Sequence, residues 1–211
     1  MTNYFGLVRR GLLAAMTVAI SLSTINVAAA SPDAETFAQR LIDQGVTILR
    51  NTSDPQRRTK FRDFISQYSD VRKTALFTLG SYRRGANEAD VENFVKAFYE
   101  FAAATYESRL DQYKGQSMKV TGSIDNKPGD VTVNTIVVDK NAREPLRVGF
   151  RLLGGNSAYK FVDIQVEGIW LSVEQKDQFA AFLSQNGGNI TRLTADLTAR
   201  TTRILAGMSP R

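Results

Sequence analysis

The feature that most constrains this chain is a double change of hydrophobic period. Apolar residues recur every three to four positions at first, then alternate one by one, then return to helical spacing. The two periods, 3.6 and 2, belong to helix and strand and cannot be satisfied by one element. The order is therefore helices, strands, helices.

In the first block, Ser31-Pro32-Asp33 offers a cap, Pro at the first helical position and an acid in the first turn. Phe37, Leu41, Ile42, Ile48 and Leu49 follow at helical spacing. Asp54-Pro55 restarts a helix carrying the basic pair Arg57-Arg58 and then Phe61, Phe64 and Ile65. Asp70 caps a third helix with Val71, Ala75, Leu76 and Leu79, and Gly80 stops it. Asn87 and Asp90 open the longest helix, expected over 87–113. Its stripe is Val91, Phe94, Val95, Phe98, Phe101, Ala102, Tyr106, Leu110 and Tyr113, and Gly115 ends it.

Four strands are expected next. Met118, Val120 and Gly122 alternate with Lys119 and Thr121, and Lys127-Pro128-Gly129-Asp130 is a turn. Residues 131–138 are β-branched. Leu146, Val148, Phe150 and Leu152 alternate with Arg147, Gly149 and Arg151. Gly154-Gly155-Asn156 turns, and 160–166 places Val162, Ile164 and Val166 on one face. Short polar turns between close strands predict an antiparallel meander. Ser172 and Gln175 suggest a capping box for a helix with Phe179, Phe182 and Leu183. Gly187-Gly188 ends it, and Ile190, Leu193, Leu197, Ile204 and Leu205 mark the last helix. The fold class is α+β: a four-stranded antiparallel sheet covered by N- and C-terminal helices.

The first thirty residues read as an export signal. Arg9 and Arg10 form a basic head, Gly11 to Val27 an apolar middle, and Ala28-Ala29-Ala30 a small-residue cleavage site. The run is too short and diluted for the roughly 20 apolar residues of a membrane span. The domains are then 1–30, signal peptide, and 31–211, one folded unit. Removing the two arginines lowers the formal net charge from +6 to +4, a mild excess. No run of five or six Lys/Arg marks a nucleic-acid surface.

The chain has no Cys and no His. That rules out disulfides, Ser-His-Asp and Cys-His catalysis, and the usual nitrogen ligand of zinc. Acid–base work would fall to carboxylates, Lys or Tyr. Asp163 and Glu167, four apart, are the conceivable carboxylate pair, but Asp163 sits opposite the Val162–Ile164 face, where a hydrogen-bonding or turn role fits better. Arg83-Arg84 is either a solvated pair or a contact for a lipid phosphate or acidic partner.

Several segments, taken in order, resemble a known family: Leu79-Gly80-Ser81-Tyr82-Arg83-Arg84; Ala104-Thr105-Tyr106 with Leu110 and Tyr113-Lys114-Gly115; Val162-Asp163-Ile164-Gln165-Val166-Glu167-Gly168; and Gln178-Phe179 leading to Gly187-Gly188. Over about residues 34–200 the chain resembles the MlaC family of periplasmic phospholipid-binding proteins, also called the toluene-tolerance auxiliary family. The Gly187-Gly188-Asn189 ending is similar to the hopanoid-associated branch. The resemblance implies a periplasmic lipid carrier with an apolar pocket between sheet and helices, no cofactor, no metal and no catalytic residues. Its implied partners are phospholipid, an inner-membrane MCE/ABC transporter complex and an outer-membrane lipoprotein complex. Trp170 and Tyr159 depart from the family pattern, Trp170 near the implied pocket floor or rim. On spacing alone the apolar stripes fit a core as well as a pocket wall. With the resemblance, the lining is expected from Leu76, Leu79, Phe94, Phe98, Phe101, Tyr106, Leu110 and Tyr113 of the helices, Val137, Val148, Phe150, Leu152, Ile164 and Val166 of the strands, and Trp170, Phe179, Phe182 and Leu183 beyond them.

Overall fold

The computed structural model of the protein describes residues 30–110, 113–155 and 158–207. The export signal expected at the N-terminus lies outside the described residues, apart from Ala30, and so does Asn156 of the third turn. The helices are α1 (Pro32–Arg50), α2 (Arg57–Tyr68), α3 (Val71–Leu79), α4 (Glu88–Glu107), α5 (Leu171–Gln185) and α6 (Ile190–Leu205). The strands are β1 (Ser117–Lys127), β2 (Asp130–Val138), β3 (Leu146–Gly155), β4 (Ala158–Val166) and β5 (Ile169–Trp170), antiparallel in sequence order.

The sheet thus has five strands, not the expected four. The fifth is the return arm of a two-residue hairpin in which Glu167 (φ 48°) and Gly168 (φ 87°) both take left-handed conformations and Val166 pairs with Ile169. Two consecutive positive φ angles match the twist of paired strands. The dipeptide is not the Asn-Gly or Asp-Gly that usually announces such a turn. Glu167 is held in it by Arg147, whose backbone amide donates at 2.7 Å and whose guanidinium donates at 2.8 and 3.0 Å.

Caps at Asp70, Asn87 and Asn189 form: their side chains accept from the amides of Lys73 (2.9 Å), Ala89 (2.8 Å) and Arg192 (2.9 Å). Two others do not. The Ser31 hydroxyl turns to Asp125, and its amide donates to Ser123 Oγ at 2.7 Å, tying the start of α1 to β1. Ser172 lies inside α5, after Trp170, and no capping box forms. Asp163 of β4 serves instead: it accepts from the Ser172 amide at 3.0 Å and from the Ser172 hydroxyl. A carboxylate at a helix N-terminus satisfies an orphan N–H and opposes the helix dipole.

The expected helix over 87–113 stops at Glu107. Beyond that point the carbonyls of Glu107 and Leu110 accept from Arg58 Nη1 and Arg57 Nη2 of α2. The Ala104 and Tyr106 carbonyls still accept from the Ser108 and Arg109 amides, while that of Glu107, the last residue of α4, accepts from an arginine side chain.

On the helix-facing side of the sheet lie Val131, Val133, Thr135 and Val137 of β2, paired with Leu152, Phe150, Val148 and Leu146 of β3. A bulge shifts β4: Arg151 pairs with Asp163 but Leu152 with Phe161. Val162 is the extra residue, so it is Phe161, not Val162, that joins Ile164 and Val166 on this face.

The interior divides into two packed clusters. One is helical: Ala75, Leu79, Phe94, Phe98, Phe179, Leu183, Ile190, Leu193 and Leu197. Phe179 meets Phe94 edge-on at 5.7 Å and Phe98 at 6.3 Å. The other sets α1 on the sheet through Ala34, Phe37, Ala38 and Leu41 against Val131, Val133, Leu152 and Tyr159.

On the outer side of the sheet, buried Asp130 accepts from Arg151 Nε (2.9 Å), Arg151 Nη2 (2.6 Å) and Asn126 Nδ2 (3.1 Å). The hydrogen bonds from Arg151 hold its carboxyl below the usual range, against the opposing effect of burial. Asp130→Asn is expected to cost about 1–3 kcal/mol of stability near neutral pH. Because the folded carboxyl titrates beneath the ~3.9 of an unfolded aspartate, its contribution is complete above that value and is lost as pH falls through the folded pKa. Urea midpoints of the two proteins should differ most near neutrality and converge in acid.

Candidate functional site

The two clusters do not meet everywhere. Along their seam run three adjoining hollows, and Tyr106, near the end of α4, borders all three. The innermost, about 270 Å³, lies under α1 and α2. Its wall comes from Ala38, Leu41, Ile42, Gly45, Val46 and Leu49 of α1, Phe61, Phe64 and Ile65 of α2, and Met118, Phe150, Leu152, Phe161 and Ile164 of the sheet. Apart from the Tyr106 hydroxyl, these lining side chains are apolar.

The second hollow, about 410 Å³, passes between α2, α3, α4, α5 and β4, past Phe98, Phe101, Ala102, Tyr106, Ile164 and Val166. The third, about 530 Å³, opens at the end of α4 between Leu49, Phe61, Leu110, Tyr113, Val137 and Leu146. Arg109 borders the second and third. Native interiors keep few voids larger than a water molecule, whereas volumes of roughly 300–1,000 Å³ belong to ligand sites. Emptying apolar volume of the innermost hollow's size costs on the order of 5 kcal/mol, which an apolar ligand would offset.

The elements around the seam are held by polar contacts at their ends. Arg62 of α2 donates from Nε to Glu107 Oε1 and from Nη1 to Glu100 Oε2, both at 2.7 Å. Glu107 is buried, and these bonds raise the Arg62 pKa further. Gln39 of α1 accepts the Val120 amide at 3.3 Å, and Ser123 Oγ donates to Glu35 at 2.7 Å, fixing α1 over β1. Thr74 of α3 donates to the Val162 carbonyl at 2.6 Å. Burial pushes the Tyr106 hydroxyl up, the Asp163 carboxylate adds to the shift, and Arg109 opposes it.

Ten of the eighteen side chains expected in the lining border a hollow: Phe98, Phe101, Tyr106, Leu110, Tyr113, Val137, Phe150, Leu152, Ile164 and Val166. Eight do not. Leu79, Phe94, Phe179 and Leu183 are packed in the helical cluster, with Phe182 against it. Val148 is buried beside Thr135, Leu76 is half-buried on α3, and Trp170 pairs with Gln165 in β5. Asp163 and Glu167 take separate structural roles, and Arg83 and Arg84 are exposed. The lining missed from sequence is mainly the inward stripe of α1 and α2, together with Phe161. Helical spacing is the available signal for the α1 and α2 residues, and the sequence offers none for Phe161, which a bulge at Val162 turns inward.

Gly45 stands apart. It is interior to α1, where glycine costs about 1 kcal/mol against alanine. It does not have a positive φ, and a Cβ there would meet only the Phe64 ring at 3.7 Å, an ordinary contact.

Among the described residues no helix is long and apolar enough to cross a membrane, and no cluster of three or more His, Cys, Asp or Glu is arranged to hold a metal ion. The family model described as MlaC protein matches residues 39–199. No curated protein matches the chain. Seven chains of solved structures do. One is the phospholipid-binding protein from Ralstonia solanacearum in complex with a phospholipid; it is 22% identical with a TM-score of 0.66, and the match covers 82% of this chain and 99% of that one. Likeness at this identity speaks to the fold.

The clamp between α2 and α4 has an asymmetric expected response. Arg62→Met strands the buried Glu107 carboxylate and should cost about 3–5 kcal/mol. Glu107→Gln leaves an acceptor in place, and Arg62 keeps Glu100, so about 1–2 kcal/mol is expected. Urea unfolding of both variants checks the order; equal losses would count against a buried clamp.

Proposed function

Since this chain belongs to the MlaC protein family, we propose that it carries phospholipid through the periplasm, with the acyl chains buried in the seam between its two cores. The observation that carries this reading is the meeting of three hollows at Tyr106, the innermost of them walled by apolar side chains from α1, α2 and the sheet. A chain of the same fold from Ralstonia solanacearum holds a phospholipid, which supports it.

The physical requirement is severe. Two acyl chains expose about thirty CH₂ groups, and at ~0.8 kcal/mol each, transfer through water costs on the order of 20 kcal/mol. A carrier must cover both chains while its own outer surface stays polar. In this reading the tails lie against Phe98, Phe101, Tyr106, Phe150, Leu152 and Ile164 and against the inward stripe of α1 and α2. The headgroup lies toward the opening at Leu110 and Tyr113. Leu79, Phe94, Phe179 and Leu183 support the wall from behind.

No bond is made or broken, so no catalytic residue is assigned. Of the two carboxylates beside the second hollow, Asp163 and Glu174, Asp163 accepts from Ser172 and caps α5. Residues 1–30 are the proposed export signal, and 31–211 the lipid-binding domain. Delivery would run between an inner-membrane MCE/ABC complex and an outer-membrane lipoprotein complex. Direction would follow the gradient those partners maintain, because a passive binder has none of its own.

The test is native mass spectrometry of residues 31–211 purified from the periplasm without detergent, followed by lipid extraction. One equivalent of diacyl phospholipid is expected. A polycyclic terpenoid in its place would move the cargo to the hopanoid class. A protein that is empty in every preparation, and that takes up no phospholipid from vesicles, would leave an interaction adaptor as the better reading.

A further inference from the structure

We infer that Gly45 sets the length of acyl chain the inner hollow accepts, an inference that rests on the carrier reading and specifies the cargo. Three observations meet at this residue. It borders the innermost hollow, the one most fully walled by apolar side chains. Its backbone does not have the positive φ that calls for glycine. Its missing side chain leaves ordinary van der Waals room, since a Cβ would meet Phe64 Cε1 and Cζ at 3.7 Å and nothing else within 4 Å.

The usual structural reasons for an interior helical glycine are thus absent. No other chain segment approaches closely enough to exclude a methyl, and alanine would favour the helix. What glycine does here is leave volume. The position faces Phe64 across the gap between α1 and α2, between the hollow's neighbouring residues Leu41, Ile42 and Leu49. Any side chain at 45 projects into the space beside Phe64 and competes with a ligand for it. Larger residues should therefore shorten the cargo while making α1 a better helix. Stability and capacity then respond in opposite directions, which a purely structural glycine would not produce.

The experiment compares wild type, Gly45→Ala and Gly45→Leu, each produced with its own leader in the same cells and purified from the periplasm without detergent. Bound lipids are identified by native mass spectrometry and extraction. Gly45→Ala should melt no lower than wild type and bind shorter chains. Gly45→Leu places four carbons in the hollow beside Phe64 and should shift the bound total acyl length down by about two to four methylenes. If the leucine variant does not fold, the alanine variant alone decides. Phospholipid of unchanged chain length in a folded Gly45→Ala protein, with the same result for Gly45→Leu where it folds, overturns the length gauge and leaves the carrier reading intact. A wild type that holds no lipid overturns the carrier reading, and this inference with it.

Discussion

A protein that keeps apolar volume unfilled cannot hold that volume open by apolar attraction, because the same attraction would close it. The constraint on which this structure depends is therefore polar: arginines of α2 fastened to the C-terminal end of α4. Arg57 and Arg58 donate to the carbonyls of Leu110 and Glu107, and Arg62 joins Glu107 and Glu100. Carbonyls at a helix end attract cations through both hydrogen bonds and the dipole. Glu107 is buried while Arg62 and Glu100 stay partly exposed, so the contact is directional and water is kept from the Glu107 end of it. It fixes the distance between two helices whose apolar faces border the hollow but do not fill it.

The division of the interior into two clusters goes with that constraint. The helical cluster is closed by Phe94, Phe98 and Phe179, and the sheet cluster by Phe37, Leu41 and Tyr159. Each is packed within itself. The seam between them can then be left loose at a cost of several kcal/mol without losing either core. Phe98 belongs to the helical cluster and Leu152 to the sheet cluster, yet each also borders a hollow. A ligand in the seam would complete both cores at once, so occupancy and stability should be coupled through mass action.

The element order was legible from hydrophobic period, because period records which face of an element is buried. Asp70 and Asn87 were legible as caps because short-range chemistry decides them. What period does not record is which neighbour a buried face meets. Phe94 and Phe101 share one stripe on α4, yet Phe94 packs on Phe179 while Phe101 borders a hollow. The stripe of α1 and α2 is equally visible but indicates only a helix, since nothing local distinguishes Leu41 or Phe61 beside a hollow from the same residues in a core. Long-range partners were also hidden. Asp163 reaches Ser172 only because β5 folds back after Glu167-Gly168, and Phe161 turns inward only because Val162 is bulged.

Tyr106 shows how the polar and apolar demands are reconciled at one place. It sits one residue before Glu107 on α4, so the clamp that fixes the helix end also fixes the tyrosine ring at the junction of the three hollows. Among the described residues none hydrogen-bonds its hydroxyl, while Arg109, three residues on, borders the two outer hollows. The end of α4 and the turn beyond it thus bring together an aromatic ring in apolar surroundings, a carboxylate buried against Arg62 and an exposed guanidinium. An amphiphile needs that same gradient from dry to wet along its length. The dry and the wet parts of that gradient lie within four residues, next to the clamp that joins α2 to α4.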